Sequence, residues 1–66
     1  MDVKLYTTGC PKCKVLATKL DTKSINYEVV DDEQVMIDKG FMEAPMLEVD
    51  GSVMNFSAAI NWLKEV

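Results

Sequence analysis

Val3-Lys4-Leu5-Tyr6-Thr7-Thr8-Gly9-Cys10-Pro11-Lys12-Cys13 runs from a short apolar-leaning segment, through a glycine turn, to two thiols separated by Pro-Lys. Residues Val3 to Thr7 read as a buried strand, and Thr8-Gly9 as the turn that ends it. The apolar positions Cys13, Leu16, Ala17 and Leu20 then recur at i, i+3, i+4 and i+7, while Lys12, Lys14, Thr18, Lys19 and Asp21 fall mostly on the remaining surface. That pattern predicts an amphipathic helix over about 11–22. Pro11 suits its first turn, where no backbone N–H is needed for the intrahelical ladder.

Ile25, Tyr27 and Val29 alternate with Asn26 and Glu28, so 25–30 reads as a second strand with one wet face near a sheet edge. Two strands joined through a helix imply parallel pairing and a right-handed crossover, which puts Cys10 at one edge of the sheet. Asp31-Asp32-Glu33 opens a short helix with acidic residues at its favourable end, and Gly40 closes it. Met46 to Val49 and Ser52 to Phe56 form a hairpin across Asp50-Gly51, a dipeptide suited to a two-residue turn with positive φ at both positions. Ser57 is the expected N-cap of a last helix with Ala59, Ile60, Leu63 and Val66 as its apolar stripe, and Asn61, Lys64 and Glu65 facing water. The resulting order is β-α-β-α-β-β-α, a single α/β domain over 1–66.

The chain has 66 residues, 48% hydrophobic and 27% charged, which is the composition of a folded domain and too short for two. It carries seven lysines against eleven acidic residues, with no arginine and a net charge of -4. Without the bidentate guanidinium grip on phosphate, nucleic acid is not an expected partner. No run approaches a membrane span and the N-terminus has no signal-peptide pattern, so the expectation is a cytoplasmic, monomeric protein without membrane association. The absence of histidine excludes Ser-His and Cys-His nucleophile pairs and imidazole-based zinc sites. What remains is thiol chemistry.

Cys10 falls where unpaired backbone N–H groups and the positive end of the helix dipole stabilise a thiolate, with Lys12 and Lys14 adding positive potential. The thiolate is the form that attacks a disulfide. Cys13 begins the buried stripe, so it is expected to stay a thiol until it displaces a mixed disulfide at Cys10. A disulfide between them closes so short a loop that it would restrict the unfolded chain by only roughly 2 kcal/mol, a poor structural staple. Two other readings stand beside this one. The cysteines can be small buried hydrophobes, or paired thiolate ligands for Cu(I) in a chaperone-like metal-binding module. Such copper modules run β-α-β-β-α-β and end in a strand, whereas Ser57 to Val66 has helical periodicity.

Over nearly its whole length the chain resembles the glutaredoxin and thioredoxin superfamily, most closely small glutaredoxin-like redoxins. Cys10-Pro11-Lys12-Cys13 is similar to the family's CPxC active site, and Ala44-Pro45 to its cis-proline dipeptide. The resemblance implies a thioredoxin fold with a four-stranded mixed sheet flanked by helices, and a disulfide oxidoreductase that serves in electron transport and cell redox homeostasis. It implies Cys10 as nucleophile and Cys13 as resolving thiol, supported by Pro11, Lys12 and Pro45. It further implies Ala44, Pro45, Phe56 and Ser57 as substrate-binding residues, with the Ala44 backbone pairing to a bound peptide or glutathione. No cofactor beyond the redox-active cysteine pair is implied. The implied partners are a disulfide-containing protein and a thiol reductant, either glutathione as co-substrate or a protein reductase.

Several positions depart from glutathione-specific members of that family. Thr7 stands where those carry a basic residue, Lys12 where an aromatic is common, and Met54-Asn55-Phe56-Ser57-Ala58 where a Gly-Gly pair precedes an acid. Met36, Met42, Met46 and Met54 read as filling for a small irregular core, the other reading being an adaptable partner surface at the proline turn that Met42 and Met46 flank. Asp31-Asp32-Glu33 reads as a solvated helix start, and Trp62 as a packing residue.

Overall fold

In the computed structural model, which describes residues 1–66, β1 (Val3–Tyr6) lies inside the sheet, with Val3, Leu5 and Tyr6 all buried. Its neighbours are β2 (Glu28–Val30), parallel, and β3 (Met46–Val49), antiparallel. β4 (Ser52–Met54) pairs antiparallel with β3, giving a four-stranded mixed sheet in the order β2-β1-β3-β4. The helices are α1 (Pro11–Thr22), α2 (Glu33–Asp38) and α3 (Phe56–Glu65). The element order is β-α-β-α-β-β-α, ending in a helix rather than in the strand of a copper-chaperone order.

One continuous core joins Val3 and Leu5 of β1, Leu16 and Leu20 of α1, Leu47 of β3, and Ala59 and Leu63 of α3. Strand alternation explains the division of faces, since Val3 and Leu5 point to one side and Tyr6 to the other. On that other side Tyr6 meets Phe41 edge to face, ring centroids 4.9 Å apart. Trp62 packs against the core, as does the half-buried Met54.

The Asp50-Gly51 turn has φ of 49° and 87°, the positive pair that a two-residue hairpin of this hand requires. Asp50 is tied down as well, its carboxylate accepting from the Asp2 N–H at 2.7 Å. α2 is capped by Asp32, whose side chain accepts from Gln34 N–H at 2.9 Å. It ends at Gly40, where φ of 78° lets the Gly40 and Phe41 N–H groups reach the Ile37 and Met36 carbonyls, each at 2.9 Å.

Several expectations are corrected. The first strand stops at Tyr6, although Thr7 N–H still donates to Val30 O at 3.0 Å. The second spans only 28–30 because Ile25 N–H is spent on Leu20 O, closing α1 behind Ser24 at φ 57°. Ile25 and Tyr27 still pack on the core, so their alternation marks burial without ladder pairing. The N-cap of α3 is Asn55 and not Ser57: the Asn55 side-chain Oδ1 accepts from Ala58 N–H at 2.9 Å. β4 therefore ends at Met54, and Ser57 lies exposed in the first helical turn. Val66 is exposed rather than part of the stripe. Of the methionines, Met36 is buried but Met42 is 98% exposed, so core filling does not describe it. No helix is long and apolar enough to cross a membrane.

Leu47 is fully buried in the second interior strand, so Leu47→Ala is expected to lose about 2–5 kcal/mol, much of what a domain this small has. The capping correction is expected to show as a loss of about 1 kcal/mol for Asn55→Ala against under about 0.5 kcal/mol for Ser57→Ala. Urea denaturation of the three variants measures both, and equal losses at 55 and 57 would contradict the Asn55 cap.

Candidate active site

Both cysteines owe their positions to the way β1 hands over to α1. Gly9, at φ 80°, turns the chain, and its N–H donates to the Thr7 hydroxyl at 3.0 Å. Cys10 follows as the N-cap of α1, with extended backbone, and its carbonyl accepts the first helical bond from Lys14 N–H at 3.1 Å. An N-cap side chain ordinarily uses oxygen to satisfy a free N–H of the first turn. Here sulfur does so: Cys13 N–H donates to Cys10 Sγ at 3.2 Å. The sulfur thus takes the place of the usual capping oxygen at the positive end of the helix dipole.

Cys13 comes one turn later and faces inward, 2% exposed, while Cys10 is half-buried. Their sulfurs are 2.6 Å apart, and either can carry the shared proton. The largest influence on Cys13 is burial, which pushes its thiol up. Hydrogen bonds from the Cys10 thiol, the Thr7 side chain and the Thr8 and Cys10 backbones together outweigh it, bringing the thiol from 9.0 down to about 7. The expectation that Cys13 simply waits as an ordinary thiol is thus revised. Exposure distinguishes the two: Cys10 is half-buried and Cys13 enclosed.

Opposite the pair lies Ala44-Pro45, joined by a cis peptide bond. Pro45 is enclosed, and Cys10 Sγ is 4.0 Å from Ala44 O. The connection carrying these residues is anchored to the sheet through Lys39, whose ammonium is 3.6 Å from Glu48 and 5.6 Å from the Tyr6 ring centre. Hydrogen bonding with Tyr6 and the nearby Glu48 carboxylate hold Lys39 charged beyond its ordinary range.

The remaining expected site residues divide. Pro11 occupies the first helical position, exposed, and makes the sharp start of α1. Lys12 places its ammonium 5.7 Å from the centre of the Phe56 ring, a cation–π contact linking the starts of α1 and α3. Ser57 is exposed beside that pair in sequence and makes no side-chain hydrogen bond. No set of three or more His, Cys, Asp or Glu side chains gathers to hold a metal ion.

A groove of about 310 Å³ opens beside Cys10, bounded by Met36 and Ile37 of α2 and by Phe41, Met42 and Ala44 of the following connection. Glu33 and Glu43 also line it. Apart from Ala44, sequence reasoning did not gather these residues, nor the Thr7 and Thr8 contacts to Cys13. The one signal for the groove was Met42, four residues before Met46 and flanking the proline turn. No family model matches this chain, and no curated protein matches it.

The depressed Cys13 thiol makes folding stability depend on pH. A group held below its unfolded value stabilises the fold fully above that unfolded value, and the contribution disappears as pH falls through the folded value. For Cys13 the window runs from 9.0 down to about 7. The reduced protein is expected to gain about 2–3 kcal/mol across it, at about 1.4 kcal/mol per pH unit. Urea denaturation of reduced wild type and of Cys13→Ser measures this gain, and an equal slope in both would remove Cys13 as its source.

Proposed function

We propose that this chain is a thiol–disulfide oxidoreductase with a glutaredoxin-like thioredoxin fold. The observation that carries the reading is the asymmetry of the pair: a half-buried sulfur capping a helix N-terminus, in contact with a second sulfur that is fully enclosed. Cys10 Sγ attacks one sulfur of a substrate disulfide, a new S–S bond forms as the old one breaks, and the departing sulfur takes up a proton. Cys13 Sγ then attacks Cys10 Sγ, releasing the second substrate thiol and leaving a Cys10–Cys13 disulfide. Two electrons and two protons have passed to the substrate. Glutathione or a protein reductase returns the pair to the dithiol.

Ala44 supports this reading by its place, with a main-chain carbonyl beside the attacking sulfur where an extended substrate segment can add backbone hydrogen bonds. Lys12 adds positive potential near Cys10 and is itself held by Phe56. Pro11 and Pro45 shape the two sides of the site, and Ser57 is left to the outer edge of substrate contact.

Cys10→Ser is expected to slow release of thiol from a chromogenic aryl disulfide by at least about a hundredfold, since the remaining sulfur is buried. Cys13→Ser is expected to release one thiol and stop, its mass increased by the bound half of the reagent. Single-turnover absorbance and intact-mass spectrometry read the two outcomes. If Cys10→Ser kept the wild-type rate, or Cys13→Ser formed no adduct, Cys10 would not be the nucleophile.

A further inference from the structure

The groove beside Cys10 has a chemical character that the exchange reading leaves unused. Its walls are apolar and bare: Ile37 is 58% and Met42 98% exposed, with Phe41 half-buried between them in the groove. Its charged lining groups are both negative, Glu33 and Glu43, and no lysine lines it. Neither carboxylate is in an ion pair, the one such pair in the molecule being Lys39 with Glu48. The surrounding chain reinforces the sign, with Asp31, Asp32 and Asp38 also between residues 31 and 44 and Lys39 as the only cation. The other lysines near the thiols and helices lie elsewhere, Lys12 over Phe56, and Lys14, Lys19 and Lys23 along α1 or at its end.

We propose that this groove selects its disulfide substrates, favouring a cysteine carried on an extended protein segment with an apolar residue beside it and lysine or arginine flanking it. The inference rests on the exchange reading and names the substrate class of that same site. The apolar neighbour packs against Ile37, Phe41 and Met42, while the flanking cation meets Glu33 and Glu43, placing the substrate sulfur at Cys10 Sγ. The adaptable Met42 side chain accepts more than one apolar shape. Acidic carriers of a disulfide, oxidised glutathione with its surplus of carboxylates among them, are repelled by the same rim. Opposite potentials mainly raise the rate of encounter, and salt weakens them. Electrons and protons move as in the exchange above, from the Cys10–Cys13 dithiol to the bound disulfide, which leaves as two thiols.

The test compares peptides of one apolar sequence, each with a single cysteine in mixed disulfide with thionitrobenzoate, flanked by lysine, glutamine or glutamate. Rates with the reduced protein are divided by rates with dithiothreitol, because a cation beside the attacked peptide sulfur also makes the disulfide intrinsically more reactive toward any thiolate, while thionitrobenzoate leaves in every case. The normalised lysine-to-glutamate ratio is expected to be about tenfold at low ionic strength and to approach unity near 1 M salt, where charges are screened within about 3 Å. In the double variant E33Q/E43Q the ratio is expected to fall to about twofold at low salt. Replacing the peptide's apolar residue by serine is expected to slow the wild-type reaction severalfold. If all peptides react but the ratio stays near one, or E33Q/E43Q leaves it unchanged, the selection is overturned and exchange at Cys10 stands. If no peptide is cleaved faster than in the Cys10→Ser variant, exchange itself is overturned, and the selection with it.

Discussion

The antiparallel register of β1 against β3 is the constraint on which the site depends. Because Tyr6 stands opposite Met46, the chain leaving β1 and the chain arriving at β3 meet at the same sheet edge. The first carries Thr7, Thr8 and the cysteine pair; the second carries Ala44 and Pro45. A slip of one residue would put Leu5 and Leu47 on opposite faces of the sheet, so that one of them and its same-face neighbours would leave the core. The hydrophobic burial of those two leucines against Leu16, Leu20, Ala59 and Leu63 therefore also holds Cys10 Sγ close to the Ala44 carbonyl.

The same edge is an electrostatic meeting point. α1 presents its N-terminus there, and the N–H of Cys13 is satisfied by a sulfur instead of the oxygen found in most caps. Thr7 and Thr8 add donors to the second sulfur, so burial of Cys13 does not raise its proton affinity as burial alone would. The helix start, the two threonines and the close sulfur contact all converge on the buried sulfur of Cys13.

Much of this was legible along the chain. The i, i+3, i+4, i+7 spacing from Cys13 to Leu20 described α1 to its actual ends, and Asp50-Gly51 marked the hairpin because few dipeptides accept positive φ twice. The boundaries that were misread share one cause. Ile25 and Tyr27 alternate like a strand, and Ser57 resembles a cap, but whether a backbone N–H bonds to a neighbouring strand, to Leu20 O or to the Asn55 side chain depends on which partner lies within about 3 Å. Hydropathy patterns record which side chains are buried and carry no information about that choice.

The sequence by itself determined the element order, the helix start at Cys10-Pro11 and the placing of two thiols within one turn of that start, since these follow from local periodicity, turn stereochemistry and residue spacing. Tertiary structure alone decided which distant residues share the site. Glu33 and Glu43 come to the groove of Cys10, Phe56 comes under Lys12, and Ala44 comes beside the sulfur, through sheet register and helix packing between segments that are separated along the chain. It also decided that Met42 is exposed where Met36 is buried, because Gly40 ends α2 and turns the chain so that one methionine faces the interior and the other the solvent at the groove.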